Sequence, residues 1–254
     1  MKLRALFPFR QLLSATTGLL LLAAAPFASA QDSMILKTTP PQKKDGLITS
    51  VTGGKVMLKE VAGEIAYALE QIESVSKAAP VEFQRGSQLV EAGDLAGALG
   101  PMKAVADKFK GLPTTWAQDA TASLGNIYIS LGKLPEAAAA IADFKSAYGG
   151  GNSLAARVAE ARLAAARKKF AEAKSIAAPV VAEALTKKNV SRADSQLFGQ
   201  AYFVLGQVAE GEKDFPAAME NYCRTVAIFY QERSVVAEAQ KRIDDLRQKG
   251  ITTP

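Results

Sequence analysis

The chain contains no histidine and a single cysteine, Cys223. Histidine is the commonest general base and the commonest metal ligand, so its absence narrows the available chemistry sharply. A lone cysteine forms no intrachain disulfide, and zinc sites built from Cys and His are excluded by counting. An enzyme would have to run on carboxylates, Ser/Lys or Tyr, and their spacing assembles no nucleophile–base constellation. Asp244 and Asp245 resemble a carboxylate pair, but adjacent helix residues do not share a face, so they read as solvated surface. The glycine run "YGGG" (148–151) has no basic residue placed as in a phosphate-binding loop and reads as a flexible joint. Arg162, Arg167, Lys168 and Lys169 make a basic stretch, read as a solvated face, with contact to an acidic partner as the alternative. Cys223 falls beside Tyr222 and Val226 on an apolar helix face, where a thiol packs as a small hydrophobe. Trp116 reads as a packing anchor. The expectation is a chain without catalytic residues, metal or cofactor.

The elements that would position a binding surface begin after residue 30. Lys2, Arg4 and Arg10 precede an apolar run, and "ASA" before Gln31 offers a small-x-small cleavage pattern. This is the order of a secretory signal peptide, with cleavage expected after Ala30. The run Gly18–Ala25 is short of the ~20 residues a membrane span needs, and Pro26 closes it. No integral membrane span is expected after cleavage, and no cysteine follows the cut to carry a lipid. The whole chain has 31 Lys+Arg against 25 Asp+Glu; losing the leader's basic residues halves the +6 excess to +3. Nucleic-acid binding rests on a concentrated basic patch, and none is evident. The expected location is therefore outside the inner membrane, in the periplasm.

Residues 31–78 read as a small all-β module. "MILKT", "GLITSV", "KVMLKE", "EIAYAL" and "QIESV" are short, β-branched and roughly alternating, and "PPQKKDG", "TGG" and "AG" between them are turn chemistry. In strand rhythm and in its "DG" turn the module resembles an Sm-like or SH3-like small barrel. Many Sm-like proteins bind RNA, a role not carried over to an exported chain; a docking or self-association module is expected.

From Ala79 alanine becomes abundant and apolar residues recur at three and four residue spacing, the helical period. A six-residue phrase appears four times: "GDLAGA" (93–98), "GKLPEA" (132–137), "KKFAEA" (168–173) and "KDFPAA" (213–218). In the second copy Gly132 stands where a left-handed helix cap is wanted, Pro135 at the start of the next helix, and Leu124, Tyr128 and Leu131 on one face of the preceding one. Gly125 and Ala137 are expected to let the two helices cross closely.

Leu-Gly-x-x-Tyr, the Gly-Lys/Asp-Leu turn and the following alanine resemble the tetratricopeptide repeat, a helix–turn–helix unit of about 34 residues. The resemblance covers roughly residues 80–231 and is nearest to periplasmic envelope proteins with stretched repeats. It lacks the lipid-anchoring cysteine of one such kind and the N-terminal coiled coil of another. It implies a mostly α fold over 79–254: an α-solenoid of about four repeats, closed by a solvating helix in 236–250. Counted in the family's manner, the concave surface would present Phe83, Gln84, Ser87, Asp119, Asn126, Arg162, Phe203, Gln207 and Glu210. The function so implied is a non-enzymatic scaffold for an envelope protein or peptide, with the β module giving a second contact or self-association. The alternative is a cell-wall glycan module, or an accessory of an envelope enzyme, working through Phe83, Trp116 and Phe203.

Overall fold

The computed structural model describes residues 31–149, 153–230 and 233–252; the expected leader lies outside them. The first five elements are strands: β1 (Asp32–Leu36), β2 (Gln42–Thr52), β3 (Lys55–Glu60), β4 (Gly63–Ala68) and β5 (Ile72–Ser76). All neighbours run antiparallel, in the order β4-β3-β2-β1-β5. β2 changes partner halfway. Gln42–Gly46 pair with β1, and Leu47–Thr52 pair with β3, so the sheet curls around this strand. Gly46 sits at the change, where a Cβ would come within 2.7 Å of the Lys59 carbonyl oxygen. This corrects the reading of "PPQKKDG" as a turn: Gln42 to Gly46 are strand, and Asp45-Gly46 is the bend in it. The β2–β3 hairpin instead turns on Gly53 and Gly54, both with φ above zero (57° and 72°), as a two-residue primed turn requires.

Nine helices follow among the described residues: α1 (Val81–Glu91), α2 (Leu95–Phe109), α3 (Thr115–Ser130), α4 (Leu134–Tyr148), α5 (Leu154–Ala166), α6 (Phe170–Thr186), α7 (Arg192–Gly211), α8 (Phe215–Ile228) and α9 (Arg233–Gln248). They form a helical repeat fold. The four copies of the phrase are the turns α1–α2, α3–α4, α5–α6 and α7–α8. Their backbones superimpose in kind: the first residue of each is left-handed, with φ of 80° at Gly93, 71° at Gly132, 59° at Lys168 and 65° at Lys213. The next N–H then closes on the carbonyl five residues back, Asp94 to Leu89, Lys133 to Tyr128, Lys169 to Ala164 and Asp214 to Ala209, at 2.8–2.9 Å. Such bonds satisfy carbonyls that a helix end leaves free.

Two copies spend a lysine where glycine is favoured, because a Cβ in the left-handed region crowds the following carbonyl. Lys168→Gly and Lys213→Gly should each raise stability by about 0.5–1 kcal/mol, read as a higher urea midpoint. A loss in both would mean that the lysine side chains hold contacts beyond the turn.

Each phrase ends on a fully buried alanine: Ala98, Ala137, Ala173 and Ala218 are 0 % exposed. The close crossing is set by another pair. Seven residues before each turn stands a small residue, and nine after it a side chain presses on that spot. A Cβ on Gly86 would meet Met102 at 3.0 Å, on Gly125 Ile141 at 2.9 Å, and on Gly206 the Tyr222 ring at 2.4 Å. Gly125 therefore makes room for Ile141 rather than for Ala137. The third repeat has Ala161 at the glycine position and Ala177 at the other, both buried. A larger residue on one helix is matched by a smaller one on the next.

The sheet, the first repeat and α3 of the second share one apolar cluster, in which Met34, Ile48, Val56 and Leu58 join Met102, Phe109, Leu112 and Trp116. Trp116 is the packing anchor expected: its indole N–H donates to the Lys77 carbonyl at 3.0 Å, and its ring meets Phe109 edge-on at 5.2 Å. Cys223 is half-buried and packs on the cluster around Tyr222 and α9.

Candidate partner-binding face

Among the described residues the odd-numbered helices touch one another in succession from α3 to α9, and no two even-numbered ones pack to a comparable extent. The odd helices therefore form the inner layer of the array, and α9 reaches α1 as well. One position, six residues before the turn, recurs on each repeated odd helix: Ser87, Asn126, Arg162 and Gln207.

The structure separates the nine expected residues into open and occupied ones. Gln84 is exposed, with its amide 3.5 Å from the Ala79 carbonyl, and Ser87, Asn126 and Gln207 are half-buried. Asp119 is exposed on α3. Phe83 is half-buried against Trp116, with ring centroids 6.4 Å apart. Phe203 is a correction: it is 1 % exposed and stacked on Tyr222 at 5.6 Å, so it belongs to the core. Arg162 is a second correction, since it is 7 % exposed and not part of a solvated basic face. Its guanidinium lies 3.5 Å from Ser130 Oγ on α3 and 3.5 Å from Gln200 Oε1 on α7, bracing three repeats from the inside. Arg167, Lys168 and Lys169 are exposed, as read.

Glu210 is also engaged. It accepts the Tyr222 hydroxyl at 2.8 Å and lies 3.4 Å from Arg242 on α9, linking the fourth repeat to the last helix. Burial, reinforced by this carboxylate, holds the Tyr222 phenol far above its ordinary value. Asn126 Oδ1 is shielded from solvent and, among the described residues, has no hydrogen-bond donor. Buried acceptors of this kind are costly to leave unmade.

Asp119 keeps an exposed edge, yet the surrounding atoms strip enough hydration from its carboxylate to raise its pKa. A carboxyl whose folded value is raised favours folding when protonated, and that advantage fades as pH rises through the folded pKa. Asp119→Asn should therefore raise the thermal midpoint at neutral pH, with the gain vanishing in acid. Equal midpoints at both pH values would show that the carboxylate keeps its water.

Sequence spacing carried the signal for one residue that was missed. Gln200 stands thirteen before its turn, the position Asp119 holds in the second repeat. Ser130 gave no comparable signal, because its role depends on the reach of Arg162. Of the three aromatics of the glycan reading, Phe203 and Trp116 are buried, and Phe83 is half-buried against Trp116. Among the described residues no cluster of acidic or Cys side chains could hold a metal ion, and no helix is long and apolar enough to cross a membrane.

No protein-family model matches the sequence, and no curated protein matches it. Among solved structures, a tetratricopeptide repeat protein from Parabacteroides merdae aligns over 63% of this chain and 68% of its own, at 16% identity and a TM-score of 0.38.

Proposed function

We propose that the chain is an exported, non-enzymatic adaptor of the tetratricopeptide kind, which holds an envelope protein or peptide on the inner layer of its helices. The observation that carries this is the set Ser87, Asn126 and Gln207. Three uncharged polar side chains recur at one position of three repeats, half-buried, on the layer where odd helices meet. A set of hydrogen-bonding groups on a rigid repeat scaffold suits an extended or helical peptide, whose polar groups need partners once water is excluded. Arg162, already braced, supports the face rather than reaching a partner. Export is supported by the leader's residue order and by β1, which opens at Asp32, just past the expected cut after Ala30. The sheet contributes a second contact or self-association.

Co-purification from solubilised envelope fractions tests the reading. The native chain should recover a protein partner, and an Asn126→Lys, Gln207→Lys double variant with an unchanged melting curve should lose it. Equal recovery by both would move the contact off this face. No recovered protein at all would count against a scaffold.

A further inference from the structure

Three junctions join successive repeats, and they differ in what fills them. At the first, Leu99 on α2, Tyr128 on α3 and Leu131 just past its end pack into the apolar cluster that runs back to the sheet. At the third, the Phe170 ring lies where a Cβ on Gly211 would come within 2.3 Å, and Lys174 pairs with Glu212 at 3.0 Å. The second junction has neither filling. Counted from the turns, Ala138 stands where the others have Leu99 and Lys174, and Arg167 where they have Leu131 and Glu212. Ala164 replaces Tyr128.

A groove of about 470 Å³ opens there between α4, α5 and α6, lined by Ile141, Leu163 and Ile176 with the two alanines. It lies on the side of α5 away from Arg162, because residues 160, 163 and 167 sit more than a quarter turn from it. The charges at its mouth are settled except for one. Lys145 pairs with Glu160 at 2.5 Å and Lys169 with Glu172 at 3.0 Å. Arg167 is exposed and donates to the Leu134 carbonyl at 3.3 Å; among the described residues no carboxylate lies within ion-pair distance of it.

We infer that this groove binds a small amphiphile with an apolar body and a single anionic group. The body would lie over the half-buried Ile176 and the small edges of Ile141 and Leu163 that stay open (5% and 8% exposed), and the anion would take the place at Arg167 that an acidic partner leaves open. The volume lies within the range of small-molecule sites. A charge-assisted bond to a guanidinium at an apolar wall is stronger than one in open water. The inference stands apart from the inner-layer reading, since the two faces share no residue.

Titration calorimetry of the full chain with decanoate, acetate and decyltrimethylammonium, all below micelle formation, tests it. Decanoate should bind, acetate should not, and the cation should bind at least about tenfold more weakly. Arg167→Gln should weaken decanoate about tenfold. Ala164→Tyr, which restores the filling of the first junction, should abolish binding, and Ala138→Leu should do so from the opposite wall if the tyrosine variant does not fold. The Asn126→Lys, Gln207→Lys variant should bind decanoate as the native chain does. No decanoate binding by the native chain, equal binding of the cation, or binding undiminished with the groove filled would overturn the proposal.

Discussion

Replacing Asp32 by alanine should lower the unfolding free energy by about 3–5 kcal/mol, the cost expected when one partner of a buried ion pair is removed. The pair ties the sheet to the helices. Lys77 Nζ lies 2.7 Å from Asp32 Oδ2, with the side chains 11% and 9% exposed. The same Oδ2 accepts the Ile48 N–H at 3.0 Å, so the alanine leaves both an ammonium and a backbone donor unmatched. Lys77 is held in turn by Trp116, which donates to its carbonyl, and its ammonium stands 5.5 Å over the Phe109 ring. β1, β2, α2 and α3 therefore meet at one buried charge. An Asp32→Leu, Lys77→Met double variant should recover most of the loss, since apolar replacement of a whole buried pair is often neutral. Urea unfolding measures all of these. A single-variant cost below about 1 kcal/mol would show that the pair behaves as a solvated surface bridge.

The Gly206–Tyr222 crossing gives the second large effect. Tyr222 is 0 % exposed, and a Cβ on Gly206 would lie 2.4 Å from its ring. Gly206→Ala should cost about 1–3 kcal/mol through overpacking, although alanine is the better helix former by about 1 kcal/mol. Tyr222→Ala alone should cost about 3–5 kcal/mol as a cavity opens and the Glu210 contact is lost. In that background Gly206→Ala should become neutral or stabilising, because the double variant holds the alanine pair that the third repeat holds at 161 and 177. The cycle should then show a coupling of roughly 2–3 kcal/mol. Additive effects would mean that the two helices separate freely and that the matching of sizes across the crossings is incidental.

The repeated phrase was legible because its residues do local work. A glycine in the left-handed region and an alanine at a closed crossing are demanded by the backbone within a few residues of themselves, so spacing alone exposes them. The lysine copies at 168 and 213 were readable only by alignment with the glycine copies, and their backbone is the same. Strand positions were legible for the same local reason, except at Asp45-Gly46. There a dipeptide suited to a turn serves a bend, because β2 must leave β1 and reach β3. The inner layer was harder. Phe203 and Arg162 sit at positions that point inward, but whether an inward side chain stays open depends on what the neighbouring helices bring to it. Tyr222 closes over Phe203, and Ser130 and Gln200 close around Arg162. The Asp32–Lys77 pair spans 45 residues and had no sequence signal at all.

Site-specific photo-crosslinking in intact cells tests whether a partner lies along the inner layer. A photoreactive side chain at Asn126 or Gln207 should give a discrete adduct with a second protein, while the same group at Lys133 or Glu136, on an exposed turn and outer helix, should give none. Adducts from the outer positions, with none from Asn126 and Gln207, would contradict it.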